Sequence, residues 1–268
     1  MQVRVLTAVV LIVAVLVVLL AGSFWVYAAL AVVLGAALIE YWQLTRAMGT
    51  AAPLWLLFPL AYLFLLRDRL PPWASVTIVL AGATVIGLGA MVFLRDWKAS
   101  LTRWALALGG SLYLGLLLSF YASIFFLHQP DPNRFGLRTV IAVFGAIWIG
   151  DTTAMLVGMR FGRHRFFPRI SPKKTVEGAV AELLASTVFF AIAGPFIGIG
   201  FPHNVILGLL IGVVAEMGDL VESQFKRSAG VKDASQLIPG HGGALDRIDS
   251  LLPVGVVVYY YLTFLHLA

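Results

Sequence analysis

Cysteine is absent from the 268 residues, which excludes disulfide bonds, thiolate metal sites and a cysteine nucleophile. Charge is also scarce: 12% of the residues are charged, whereas about 25% are charged in ordinary soluble domains. Hydrophobic residues make up 60% of the chain, and apolar runs long enough to cross a hydrocarbon core of about 30 Å recur along nearly its whole length. The sequence therefore predicts a single integral membrane domain, with no room for a separate soluble one.

Apolar windows of about twenty residues predict an all-α, polytopic transmembrane bundle with nine spans. The windows lie near residues 4–21, 24–45, 51–66, 73–94, 104–127, 139–159, 177–199, 204–225 and 250–267. The third window is short and contains Pro53 and Pro59, so we expect this segment to be kinked or only partly inserted.

Lysine and arginine are distributed unequally between the two sides of this layout. Of the 19 basic residues, 15 lie at the N-terminus or in the even-numbered loops. By the positive-inside rule, the N-terminus and these loops are cytoplasmic. The net charge of +6 then reflects orientation, and no nucleic-acid partner is expected. We divide the domain into N-terminal transmembrane helices, 1–138, and a C-terminal transmembrane region, 139–268, whose cytoplasmic loops carry the candidate chemistry.

Carboxylates are concentrated near the end of the chain, where six of the 13 acidic residues lie between positions 216 and 249. Glu216, Asp219 and Glu222 are three residues apart, so on a helix they share a broad face. Asp246 and Asp249 have the same spacing before the last span. Two such sets that meet would form an oxygen-rich pocket, which Mg²⁺ occupies together with phosphates and water. A structural charge network with neighbouring cations is the alternative that charge alone leaves open.

The same stretch contains residue types that suit a polyphosphate. The candidate phosphate-binding residues are Lys226, Arg227, Lys232, His241, Gly242 and Gly243. Arginine offers a planar fork of donors and lysine a point charge, and glycines permit close approach of backbone amides to an anion. A helix that begins near Ala244 would direct its first N–H groups to the same place. Alone, the glycines indicate only a flexible loop; between carboxylates they favour a phosphate and metal site.

A second cluster lies at the end of a loop with six cations. Topology and contact with anionic lipid headgroups explain most of these cations. Lys173 and Lys174, however, abut a predicted helix N-terminus, where an anion would dock. Asp151 lies inside an apolar span and is a functional candidate with a lysine or a metal as its partner. Glu40 also lies in a span, but two aromatic neighbours indicate an interfacial position, and no role is assigned to it.

These spacings are similar to those of a known family. The run Ser223-x-Phe-Lys-Arg-x4-Lys-Asp-x4-Ile-Pro-Gly-His-Gly-Gly-x-x-Asp-Arg-x-Asp249 resembles the defining motif of the phosphatidate cytidylyltransferases, also called CDP-diacylglycerol synthases. The segments 171–178 and 218–223 are similar to further blocks of that family, whereas the first half of the chain matches only in being multi-span. The resemblance implies transfer of a cytidylyl group from CTP to phosphatidic acid, with release of pyrophosphate.

The resemblance also implies a cofactor, partners and a location. It implies Mg²⁺, with K⁺ as a candidate second metal, a homodimer among membrane lipids, and the bacterial inner membrane with the active site facing the cytoplasm. It implies that Asp219 and Asp246 bind the metal, with Asp249 nearby. We assign catalysis to these three and Lys226, and substrate binding to Ser223 with the phosphate-binding candidates and the two lysines at 173 and 174. Further candidates are Asp151, Glu216 and Glu222.

Three other classes of membrane protein are alternatives. A polyprenol kinase would also need cations, carboxylates and glycines, and labelled CTP separates it from a cytidylyltransferase. A CDP-alcohol phosphotransferase is disfavoured because the spaced run of aspartates expected of that family is absent. A transporter would use Asp151 and Glu216 as ion ligands, but the sequence contains no visible inverted repeat, and the acidic residues crowd one end of the spans.

Overall fold

The computed structural model describes residues 2–93, 97–128, 134–238 and 242–267. Within these ranges all regular elements are helical, apart from two isolated β-bridges, so the all-α prediction is confirmed. The α-helices of these ranges are α1 (Gln2–Ala21), α2 (Ser23–Ala47), α3 (Leu54–Leu65), α4 (Val76–Val92), α5 (Trp97–Gly110), α6 (Leu117–Phe125), α7 (Phe135–Phe161), α8 (Val176–Ala193), α9 (His203–Ser228), α10 (Leu245–Ile248) and α11 (Leu251–Phe264). A π-helical segment, Ser111–Leu116, joins α5 to α6.

Each of the nine predicted windows coincides with helix in the described part of the chain, α5 to α6 counting as one. Five helices there are long and apolar enough to cross a membrane: Ser23–Ala47, Ala99–Phe125, Phe135–Phe161, Val176–Ile197 and His203–Ser228. By contrast, α3 has 12 residues, or about 18 Å of helix, and contains Pro59. The protein is thus a helical integral membrane protein, while nine crossings and the division at 138/139 stay predictions.

The chain forms two compact units, of which the first comprises residues 1–119 and 225–247. Close contacts position its helices. Gly115 lies against the backbone of Ala61 with no room for a Cβ atom, which lets the π-helical segment approach α3. The hydroxyl of Tyr41 on α2 donates to the carbonyl oxygen of Leu106 on α5, at 3.0 Å. Helix α2, which carries Glu40, is therefore held within this unit.

The second unit comprises residues 120–224 and 248–268. In this unit α7 and α8 pack closely, because a Cβ on Gly178 would lie 2.9 Å from the carbonyl oxygen of Ala154. On α9, a Cβ on Gly218 would lie 2.5 Å from the carbonyl oxygen of Asp249 and 3.0 Å from Cα of Ser250. The missing side chain at Gly218 therefore allows the segment before α11 to lie directly on α9.

Candidate functional site

Three carboxylates of the second unit converge. Asp219 and Glu222 project from one face of α9, as their spacing predicts, and Asp249 reaches them across the close contact at Gly218. One oxygen of each carboxylate lies within 4.8 Å of the other two. Glu222 is fully buried, and Asp219 and Asp249 are partly buried. Hard cations such as Mg²⁺ bind oxygen ligands of this kind, so these three residues, the carboxylate group, could hold a divalent ion.

Lys174 lies beside the carboxylate group. Its Nζ atom is 2.7 Å from Oε2 of Glu216 and 2.5 Å from Oδ2 of Asp219. Burial disfavours the charge of Lys174, but these two carboxylates outweigh that effect and raise its pKa above the usual range. Lys174 is therefore a fixed positive charge at the edge of the carboxylate group.

The loop before α8 determines where this lysine lies. Backbone pairing folds the loop on itself: the amide of Phe166 donates to the carbonyl oxygen of Lys174 at 2.9 Å, and that of Val176 to His164 at 2.9 Å. Thr175 then caps α8 by accepting from the amide of Gly178 at 3.2 Å. The cap and the pairing direct Lys174 inward, whereas the side chain of its neighbour Lys173 is exposed.

In the first unit, Lys226 and Asp246 form a buried ion pair. Nζ of Lys226 donates to Oδ1 of Asp246 at 2.6 Å, and each residue is 9% exposed. The second oxygen, Oδ2, accepts from the amides of Ala234 at 3.1 Å and Gly243 at 2.7 Å. Asp246 thus holds the loop between α9 and α10. A phosphate contact for Lys226 and a metal contact for Asp246 stay predictions.

Glu40 on α2 supports the same loop. The sequence pattern assigned no such role to it. Its Oε1 atom accepts from Oγ of Ser235 at 2.5 Å and from the amide of Ala244 at 3.0 Å, and its Oε2 atom accepts from the amide of Leu245 at 2.7 Å. The residue is only 3% exposed. The sequence signal for this role was the position of Glu40 inside an apolar span, because a carboxylate there is costly without partners.

The amides of residues 243–245 donate to the protein's own carboxylates. This corrects the expectation that the first N–H groups of the helix near Ala244 are directed at a substrate anion. The glycines admit those carboxylates: a Cβ on Gly243 would lie 2.5 Å from both oxygens of Glu40. Gly242 has φ +81°, and its Cβ would lie 2.7 Å from Oδ2 of Asp246. Substrate binding at these glycines stays a prediction.

The remaining predicted site residues of the described part of the chain lie either near the carboxylate group or at exposed positions. Oγ of Ser223 donates to Oδ1 of Asp219 at 3.4 Å, which places it beside the carboxylate group. Glu216 is 9% exposed and contacts Lys174. The predicted residues with exposed side chains are Asp151, Lys173, Arg227 and Lys232. His241 lies outside the described residues.

Comparison with known proteins gives matches along nearly the whole chain. The profile of the cytidylyltransferase family matches residues 2–265. The chain belongs to this family. A phosphatidate cytidylyltransferase from Synechocystis sp. is 34% identical over an alignment of 291 positions, which includes 98% of this chain and 96% of the relative. Phosphatidate cytidylyltransferases from Staphylococcus saprophyticus and Staphylococcus epidermidis are 38% and 40% identical, each over 49% of this chain and 52% of the relative.

The family expectation drawn from the C-terminal motif is thus confirmed, and the similarity extends beyond that motif. Because the cytidylyltransferase match runs through both compact units, it includes the helix that carries Glu40 as well as the carboxylate group. The N-terminal half, which the motif does not cover, is therefore part of the family's fold.

Proposed function

We propose that this protein transfers a cytidylyl group from CTP to phosphatidic acid and produces CDP-diacylglycerol and pyrophosphate. The observation that carries the proposal is the carboxylate group with Lys174 at its edge. Transfer between phosphates needs metal-binding oxygens and fixed cations to offset phosphate charge. The relative from Synechocystis, which is named as a phosphatidate cytidylyltransferase and matches 98% of this chain, supports the choice of substrates.

The proposed cofactor is Mg²⁺, held by Asp219, Glu222 and Asp249. Three carboxylate oxygens within 4.8 Å of one another fit a small, hard cation. When bound, Mg²⁺ would offset negative charge on the phosphates of CTP and on the leaving pyrophosphate. The sequence-based proposals of Asp246 as a further ligand and of K⁺ as a second metal stand beside this assignment.

In the proposed reaction, an oxygen of the lipid phosphate attacks the α-phosphorus of CTP. A new phosphorus–oxygen bond forms, the bond between the α-phosphorus and the bridging oxygen breaks, and pyrophosphate leaves with that electron pair. No side chain has to remove a proton, because the second pKa of a phosphate monoester is about 6. Lys174, fixed by Glu216 and Asp219, offers a cation to one of these phosphates. Positioning and charge compensation then account for the rate.

We further propose a homodimer in a bacterial inner membrane, with nine spans and with the N-terminus and the active site facing the cytoplasm. The distribution of lysine and arginine supports this orientation. Since the chain has no cysteine, single-cysteine variants can test it. In intact cells, an impermeant maleimide should label Ser75→Cys and spare Ser228→Cys; the opposite pattern would reject the orientation.

A direct assay tests the reaction. Purified protein in detergent micelles with phosphatidic acid is given CTP labelled in the cytidine ring, with and without Mg²⁺. The proposal predicts a CMP-bearing lipid together with an equal amount of pyrophosphate. Release of CDP with phosphorylation of a polyprenol would identify a kinase instead. Solute uptake by liposomes without CTP would point to a transporter.

A further inference from the structure

The contacts of Glu40 join positions far apart in the sequence. Its hydrogen-bond partners Ser235, Ala244 and Leu245 are 195 to 205 residues away along the chain. All three contacts lie in the first compact unit. Burial of a carboxylate is costly unless hydrogen bonds satisfy it, so a residue that is 3% exposed must gain its support from these partners.

The partners of Glu40 mark the two ends of one loop. Ser235 is near its beginning, and Ala244 and Leu245 lie at its end, where α10 starts. The loop between them carries the candidate phosphate-binding glycines. Oγ of Ser235 also accepts from the amide of Leu237 at 3.1 Å, which continues the ordered contacts into the loop. Fixing both ends of a segment lowers the conformational entropy that ligand binding would otherwise have to remove.

Only a carboxylate satisfies this set of donors. Both oxygens of Glu40 accept, one from a hydroxyl and an amide and the other from a second amide. A glutamine has one acceptor oxygen, and its NH₂ group would face a donor in either orientation. The space beside the Glu40 carboxylate also requires glycine at position 243, because a Cβ there would lie 2.5 Å from both oxygens.

We propose that Glu40 is a positioning residue for CTP: it preorders residues 235–238 and 242–245, where the nucleotide's phosphates bind. This inference rests on the proposed function and adds to it a residue from α2, outside the C-terminal motif. When the binding-competent loop is only fractionally populated, the apparent affinity for the ligand falls by that fraction. Loss of the Glu40 contacts therefore acts on CTP binding more than on the chemical step.

The kinetic test compares Glu40→Gln with Tyr62→Phe. Tyr62 is a matched control because its hydroxyl donates to Ala31 on the same helix α2, at 2.9 Å, away from the loop. In Glu40→Gln, KM for CTP should rise at least tenfold, while kcat stays within about threefold of wild type and KM for phosphatidic acid changes less than KM for CTP. Tyr62→Phe should keep all three constants. An equal loss of kcat in Glu40→Gln, or an unchanged KM for CTP, overturns the proposal.

Hydrogen–deuterium exchange gives a readout that does not depend on activity. In Glu40→Gln, the peptide that contains Ala244 and Leu245 should exchange at least tenfold faster, and CTP should restore part of its protection. Peptides from α7 and α8 should exchange as in wild type. Uniformly faster exchange across the protein would indicate a general loss of stability and would overturn a positioning role.

Ser235→Ala removes the loop's side of the same contact, and it replaces Glu40→Gln as the test if that variant does not fold. It removes one donor to Glu40 and leaves both amides, so KM for CTP and loop exchange should change in the same direction but by less, about threefold. The proposal would be overturned if Glu40→Gln did not fold and Ser235→Ala had the wild-type KM for CTP and the wild-type exchange rate in the loop. If wild-type protein produced no CDP-diacylglycerol, the proposed function would fail, whereas the exchange result would still report whether Glu40 orders the loop.

Discussion

Carboxylates of the two compact units have different surroundings. In the first unit, Glu40 and Asp246 accept from backbone amides, a hydroxyl and the ammonium group of Lys226. In the second unit, Asp219, Glu222 and Asp249 bring their oxygens within 4.8 Å of one another, with Lys174 on one side. Donors that surround a carboxylate hold a loop in place, whereas carboxylates that face each other are suited to a cation.

The largest effect is expected from Asp219→Asn. Asparagine keeps the size of the side chain but removes the charge that a divalent cation and Lys174 both require. Formation of CDP-diacylglycerol should fall at least 100-fold at saturating Mg²⁺, equivalent to about 2.7 kcal/mol. Asp68→Asn, on an exposed aspartate paired with Arg67, should keep the wild-type rate. A rate above about a tenth of wild type in Asp219→Asn would contradict the metal assignment.

Gly218→Ala tests the packing that brings Asp249 to α9. The added Cβ would lie 2.5 Å from the carbonyl oxygen of Asp249, so the segment before α11 has to move away. We expect a loss of activity of about 10- to 100-fold and a higher Mg²⁺ concentration for half-maximal rate. Gly89→Ala in α4 is the control, because its Cβ would meet nothing within 4 Å. Equal Mg²⁺ dependence in the two variants would show that the close contact at Gly218 does not matter.

Lys174→Met removes the cation at the edge of the carboxylate group. Glu216 and Asp219 then lose an ion pair at 2.7 and 2.5 Å, and the phosphates lose a fixed positive charge. Activity should fall about tenfold. Lys173→Met changes an exposed lysine next to it and should cost less. If the two variants lost activity equally in the same assay, the inward position of Lys174 would have no special importance.

The smallest effect is expected from Thr175→Ala, which removes the N-cap of α8. Loss of such a cap costs about 1 kcal/mol of stability. The melting temperature should therefore decrease by a few degrees (about 2–4 °C at this size). Ser75→Ala is the matched control, since Ser75 precedes α4 without a side-chain cap hydrogen bond. A lower melting temperature for Ser75→Ala than for Thr175→Ala would contradict the capping contact.

Local sequence patterns predicted the helices and part of the site. Each of the nine apolar windows located a helical segment in the described residues, because burial in lipid requires long apolar runs. The three-residue spacing of Asp219 and Glu222 placed both on one face of α9. The motif also identified Asp249, and the hypothesis that its set of carboxylates meets the set on α9 agrees with the structure for Asp249, whereas Asp246 pairs with Lys226. These successes concern residues whose relation is set by helix geometry.

Contacts between distant segments were not predictable in this way. The hydrogen bonds of Glu40 to Ala244 and Leu245 span more than 200 residues, and no local pattern connects these positions. The approach of Asp249 to α9 depends on a missing side chain at Gly218, which in sequence is one of 26 glycines. The use of loop amides by the protein's own carboxylates likewise depends on tertiary packing.

Mn²⁺ binding, followed by electron paramagnetic resonance on the purified protein, tests the central claim most directly. Mn²⁺ prefers the same oxygen ligands as Mg²⁺ and is observable in the absence of turnover. If the carboxylate group is the metal site, Asp219→Asn and Asp249→Asn should weaken Mn²⁺ binding at least tenfold, and Glu40→Gln should bind as wild type does. Unchanged binding in Asp219→Asn, or an equal loss in Glu40→Gln, would contradict the distinction between the two sets of carboxylates.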